Sequence, residues 1–154
     1  MYFAVIALTM LVLPTCSILV EHGLRPDAPM LVLIGKWFTF WGVGLRLGLA
    51  GLRQVLKPEF TAKEIFKLST EEALPIVREL GFANVATAVI ALLSMAIPTF
   101  VLPAAISGCI LFGAAGLMHA GAHNRSHNET AAMVSDLFIA AVLALYVLAT
   151  FSGF

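Results

Sequence analysis

Between Leu80 and Met118 the chain contains no Asp, Glu, Lys or Arg. A stretch this long and this apolar has few solutions. In hydrocarbon every backbone N–H and C=O must be bonded internally, so only helices or a closed barrel can cross. The run shows no period-two alternation of the kind that marks barrel strands. It is also too long for one helix. IPTFVLP, Ile97–Pro103, supplies the break, because its two prolines cannot donate backbone hydrogen bonds and a tight hairpin suits them. A bilayer crossing takes about 20 apolar residues. The run therefore predicts two helices, near Leu80–Ile97 and Phe100–His119.

Three further segments meet the same requirement: Tyr2–Val20, Met30–Leu56 and Thr130–Phe151. EHGLRPDAP, Glu21–Pro29, separates the first two with charge, glycine and two prolines. The first segment lacks the basic leader and small-residue cleavage site of a signal peptide, so it reads as a retained helix. The polar stretch Lys57–Arg78 holds TAKE, Thr61–Glu64, and STEE, Ser69–Glu72, both matching the capping-box pattern. The first is expected to open a short interfacial helix with Ile65 and Phe66 toward lipid.

The expectation is an all-α, polytopic membrane helical bundle, with residues 1–154 forming one integral membrane domain. It has five transmembrane helices, or four without the Ile97–Pro103 hairpin, plus the short interfacial helix. Composition agrees: 60% hydrophobic and 12% charged residues, against about 45–50% and 25% in soluble domains. Nine basic and nine acidic residues cancel, which gives nucleic acid no charge bias to recognise. Cys16 and Cys109 each lie in an apolar run and could join only if their helices touch.

Five helices place the amino terminus, residues 57–78 and the loop after His119 on one side. That side carries Arg53, Lys57, Lys63, Lys67, Arg78 and Arg125, while the other offers little beyond Arg25. The positive-inside rule makes the first side cytoplasmic, for a multi-pass protein of the cell inner membrane with its amino terminus inside.

Charges below the membrane surface are the strongest functional signal, since each costs several kcal/mol unless paired or hydrated. Arg46 lies about ten residues, roughly 15 Å, from the cytoplasmic end of its helix. Arg53 is two turns further on and points the same way. Asp136 enters the last helix, Glu72 and Glu79 approach the third, and Asn84 lies deeper in it. In one reading Arg46 and Arg53 pair with these carboxylates and lock the bundle. In the other, Arg46, Arg53, Glu72, Glu79, Asn84 and Asp136 line a polar pocket for an anionic or quinone-like ligand. Lys36, near the opposite end, can extend its amine to the interface.

Three of the four histidines, His119, His123 and His127, recur at intervals of four. His119 and His123 share a face of any helix that reaches both, a spacing that can ligate zinc or iron if a third ligand arrives from elsewhere. No HExxH, ExxH or CxxC accompanies them. Helix-end histidines that bond the last carbonyls or water satisfy the same pattern, so a metal is the reading the spacing favours less. Gly44 and Gly48 form a small-xxx-small pair that admits a neighbouring helix. Trp37 and Trp41 form an aromatic strip for lipid or helix packing.

WGVGLRLGLAGLRQ, Trp41–Gln54, followed by ELGFAN, Glu79–Asn84, resembles small uncharacterised bacterial membrane proteins of the DoxX-like kind, over about half of the chain. The resemblance implies a short helical bundle in a prokaryotic inner membrane and a lipophilic ligand, since some members work with quinone or thiol redox partners. It departs from the redox members in having no CxxC, and it transfers no catalytic residue.

The leading functional expectation is therefore a small membrane protein, redox-accessory or transport-related. It binds a lipophilic or anionic molecule, quinone or lipid, in a polar pocket of the cytoplasmic half. The alternative is a non-catalytic accessory subunit of a larger membrane complex, or of a homo-oligomer. A third reading is a metal-dependent membrane enzyme using His119 and His123.

Overall fold

The computed structural model describes residues 2–123 and 125–153, which form helices and no strand. Five helices are long and apolar enough to cross a membrane: α1 (Phe3–Leu24), α2 (Met30–Leu56), α3 (Glu71–Leu93), α4 (Pro98–Gly121) and α5 (His127–Phe151). The shortest, α1, has 22 residues; at 1.5 Å per residue that is about 33 Å, enough for a hydrocarbon core of about 30 Å. The helices alternate in direction. Residues 57–70 and the α4–α5 loop thus share one end, here the histidine end. The α1–α2 loop and the α3–α4 hairpin share the other.

The protein is thus an all-α polytopic membrane bundle of five spans. A short helical stretch, 58–65, follows α2 as expected, but neither predicted capping box forms. Thr61 already has helical backbone angles (φ −67°, ψ −42°), because the stretch begins earlier, at Pro58, where a missing N–H costs nothing. The turn at Glu71 follows an extended Thr70 with no side-chain cap. The box that does form is Ser126–Glu129: the Ser126 hydroxyl accepts from the Glu129 amide at 3.1 Å, and the Ser126 amide donates to Glu129 Oε2 at 3.4 Å. It starts α5 at His127, earlier than the expected Thr130.

α3 also starts well before Leu80. Its polar first turns were hidden in the sequence because Arg78 and Glu79 lie on its exposed face, and Pro75 fits a first turn. The α3–α4 hairpin forms where expected. Ile97, held out of the helical region by the following proline, has φ −125° and ψ 87°.

α2 is the hub, packed against all four other spans. Toward α3 it presents Gly44, Gly48 and Gly51, and the tightest point is reciprocal. A Cβ on Gly51 would stand 2.8 Å from the Gly81 carbonyl oxygen, and one on Gly81 would stand 2.8 Å from that of Gly51. In lipid, apolar burial gives little drive for helix association, so this close backbone approach and its dispersion contacts hold the pair. At mid-bundle Val43 and Leu47 of α2, Phe112 of α4, and Ile139 and Leu143 of α5 are all 3% exposed or less. They form a packed apolar layer between the two ends.

The outer surface is apolar: Leu24, Ile76, Ile110 and Phe151 are each at least 68% exposed. In water such a surface would aggregate; against lipid it needs no cover. The tryptophan strip turns inward rather than to lipid. Trp37 Nε1 donates to Glu21 at 2.7 Å and Trp41 Nε1 to Ser17 at 3.0 Å, fastening α2 to α1. Cys16 and Cys109 are both free thiols.

Candidate functional site

At the histidine end the five helices diverge around a cavity of about 710 Å³. α2 brings Arg46 and Arg53 to its wall, α3 brings Asn84, α4 His119 and α5 Asp136. Most of the remaining lining is apolar, including Leu47, Leu111 and Phe112, with Phe60 and Phe66 contributed by the polar stretch after α2.

Arg46 is held from three directions. Its Nη2 donates to Asp136 Oδ1 at 2.7 Å and to Ser135 Oγ at 2.9 Å, and its guanidinium lies 5.0 Å from the centre of the Phe112 ring. The two charged side chains are only 12% and 9% exposed. At that depth an unpaired charge would be costly, so each requires the other. Arg53, two turns closer to the membrane surface, is held differently. Its guanidinium stacks 3.4 Å from the centre of the Phe60 ring, and no carboxylate among the described residues pairs with it. Asn84 is 4% exposed. Its Nδ2 donates to Gln54 Oε1 at 2.8 Å, but its Oδ1 has no partner. A buried acceptor left without a donor costs about 1–3 kcal/mol.

Of the residues singled out in the sequence, Arg46, Arg53, Asn84 and Asp136 therefore meet at one cavity. Glu72 and Glu79 do not join them. Both lie on the exposed face of α3, because the helix phase that turns Val77, Gly81 and Asn84 inward turns these carboxylates outward.

The histidines do not share a face. α4 ends at Gly121, so His119 lies in its last turn, His123 lies beyond it and is exposed, and His127 is the first residue of α5. Only His119 reaches the cavity, with its Nδ1 3.8 Å from Glu129 Oε1. The α4 carboxyl end is closed instead by Arg125, whose Nη1 donates to the His119 and Ala120 carbonyls at 3.1 and 2.7 Å. That is the favoured place for a cation on the helix dipole. Among the described residues no three His, Cys, Asp or Glu side chains are grouped to hold a metal.

Glu129 was not among the pocket residues singled out from the sequence. It is 4% exposed, caps its own helix and takes Lys67 Nζ at 3.1 Å. Lys67 reaches it from a left-handed backbone (φ 55°), a conformation costing roughly 1–2 kcal/mol outside glycine. The ion pair ties the segment after the 58–65 stretch to the first turn of α5. The signal was available: Ser126 and Glu129 are spaced as a capping box, and Glu129 stands seven residues, two turns, before Asp136. Lys36 is paired. Its Nζ donates to both Glu21 oxygens at 2.8 and 2.7 Å, at the opposite end of the bundle.

A family profile matches residues 1–152 of this chain. The chain belongs to DUF6790, a family of unknown function. Comparison with curated proteins and with solved structures finds no match. The chemistry of the cavity in this DUF6790 chain is one neutralised guanidinium, one exposed guanidinium without a carboxylate among the described residues, one histidine and apolar walls.

Proposed function

We propose that this protein binds a lipophilic small molecule, quinone-like or anionic in its headgroup, in the cavity at the histidine end. It serves as a carrier or redox-accessory component of the membrane. The observation that carries this reading is the cavity itself. Its volume of about 710 Å³ falls within the range of roughly 300–1,000 Å³ usual for small-molecule sites, and it has their mixture of apolar walls and a few convergent polar groups. Leu49, Leu80 and Met118, which line it, are 46%, 37% and 58% exposed. These apolar side chains suit a ligand that partitions into the cavity from the bilayer rather than from water.

The wider kinship we propose is with the DoxX-like proteins that Trp41–Gln54 and Glu79–Asn84 resemble, and the location is a bacterial inner membrane. The histidine end is taken as cytoplasmic because Lys57, Lys63, Lys67, Arg78 and Arg125 gather there.

The test is to fill the cavity. Protein purified in nanodiscs is extracted with organic solvent, and the extract is analysed by mass spectrometry beside that of Ala115→Trp, which projects an indole from the α4 wall. One small molecule at near-stoichiometric yield, lost in the variant, is expected. An extract no different from that of empty nanodiscs sinks the proposal.

A further inference from the structure

Resting on that reading, we infer that the ligand is electrically neutral and carries a carbonyl oxygen. That oxygen accepts from the side-chain amide of Gln54 and the imidazole of His119. Two independent observations point this way.

The first is charge balance. Among the described residues the charged side chains that line the cavity are Arg46, Arg53 and Asp136. Arg46 and Asp136 cancel across 2.7 Å. Arg53 is exposed, where water and salt screen its charge. An ionised headgroup drawn inside would lose its hydration and meet no unpaired cation in return, which is costly in an apolar site. A neutral headgroup avoids that cost.

The second is a pair of unused donors. Gln54 of α2 and His119 of α4 line the cavity and are only 8% and 6% exposed. Gln54 Oε1 accepts from Asn84 Nδ2 at 2.8 Å, which fixes the amide and leaves its Nε2 to donate elsewhere. Asn84 is thus a positioning residue. His119 Nδ1 stands 3.8 Å from Glu129 Oε1, too far for a hydrogen bond. Neither Gln54 Nε2 nor a ring nitrogen of His119 has a hydrogen-bond partner among the described residues. Nor are these atoms sealed in protein: the described side-chain atoms that are both buried and unpartnered are His22 Nδ1, Thr39 Oγ1 and Asn84 Oδ1. Gln54 Nε2 and the imidazole therefore keep accessible surface, at residues that line the cavity. A carbonyl oxygen has two lone pairs and no net charge, so it can accept from either donor or both. The apolar walls, Leu47, Leu111 and Phe112 among them, take the hydrocarbon. A quinone ring and an acylglycerol ester both present such an oxygen beside a hydrocarbon tail.

The experiment uses the full-length protein in neutral detergent, read by native mass spectrometry against matched probes. An isoprenoid benzoquinone is paired with an isoprenoid hydrocarbon of the same length. Monoolein is paired with its glycerol ether, which lacks the carbonyl, and oleate supplies an anion. In at least one pair the carbonyl-bearing probe should be retained about tenfold more strongly than its partner, as expected for one or two hydrogen bonds in an apolar site, and more strongly than oleate. Which pair shows the preference identifies the source. Gln54→Met keeps the shape of the side chain and removes the donor; it and His119→Phe should reduce the preference severalfold and leave the carbonyl-free probes unchanged. In the parent, which needs no variant to fold, the infrared carbonyl stretch of the bound probe should fall below its value in detergent alone. Oleate retained above both neutral carbonyl probes, equal retention within both pairs, or an unshifted stretch overturns the inference but leaves the cavity as a lipophilic site. A preference unchanged in both variants also overturns it. No retention of any probe, together with an empty extract, removes both readings.

Discussion

Replacing Arg46 by leucine tests whether the centre of the site is a charge pair or only a set of hydrogen bonds. The parent side chain makes two contacts across the α2–α5 interface, to Asp136 at 2.7 Å and Ser135 at 2.9 Å. Interhelical hydrogen bonds in membranes average about 0.6 kcal/mol and reach about 1.7, so two of them account for roughly 1–3 kcal/mol. Removing Arg46 also strands Asp136, only 6% exposed, as a buried charge without a counterion. Breaking a buried pair from one side costs about 3–5 kcal/mol. The double variant Arg46→Leu/Asp136→Leu removes the stranded charge and should recover most of that loss, since apolar replacement of a whole buried pair is often neutral or better. Reversible SDS unfolding in mixed micelles, run on the parent, both single variants and the double variant, closes the cycle. The expected order is parent and double variant similar, with each single variant clearly weaker. If Arg46→Leu loses less than about 1 kcal/mol, or the double variant loses the sum of the singles, the pair is hydrated and the argument from burial fails.

Three further outcomes follow from other parts of the bundle. Ser126→Ala should cost about 1 kcal/mol and raise hydrogen exchange in the first turn of α5, whereas Thr61→Ala and Ser69→Ala should leave the amides of the following turns unchanged; protection lost at those turns instead would restore the predicted boxes. Gly81→Val should force α2 and α3 apart at the Gly51 carbonyl and lower the melting temperature sharply, while Gly121→Val, where an added Cβ meets nothing within 4 Å, should not; equal melting temperatures would refute the close approach. Single cysteines at Ser69 and His123, in a background lacking Cys16 and Cys109, should resist impermeant thiol reagents in intact cells; ready labelling of both reverses the orientation, and labelling of one alone contradicts the α3–α4 hairpin.

The membrane-spanning segments were legible because their physics is one-dimensional. A span must be about 20 apolar residues long wherever it sits in the chain, and α2 begins and ends at the expected Met30 and Leu56. Boundaries failed where polarity along the chain stopped reporting burial. Arg78 and Glu79 look like loop and are helix, because one face of an interfacial helix can stay wet. The two predicted capping boxes failed because a cap requires a particular residue to sit at the last non-helical position: Pro58 moved that position away from Thr61, and before Glu71 it is held by Thr70 rather than Ser69.

Within the site, the sequence alone indicated that Arg46 and Asp136 had to be paired or hydrated, since a bare charge that deep costs several kcal/mol. It could not determine which partners, because that depends on helix rotation. Turning α3 so that Gly81 meets Gly51 carries Asn84 into the cavity and Glu72 and Glu79 out of it. The same holds for the histidines. Intervals of four define a face only while a helix continues, and α4 stops at Gly121, where Arg125 binds its final carbonyls. Composition and spacing along the chain thus pointed to the bilayer as solvent, to five spans and to buried charges that must be paired or hydrated. Helix phase and close backbone contact decided which side chains face one another, because those depend on distances between residues far apart in sequence.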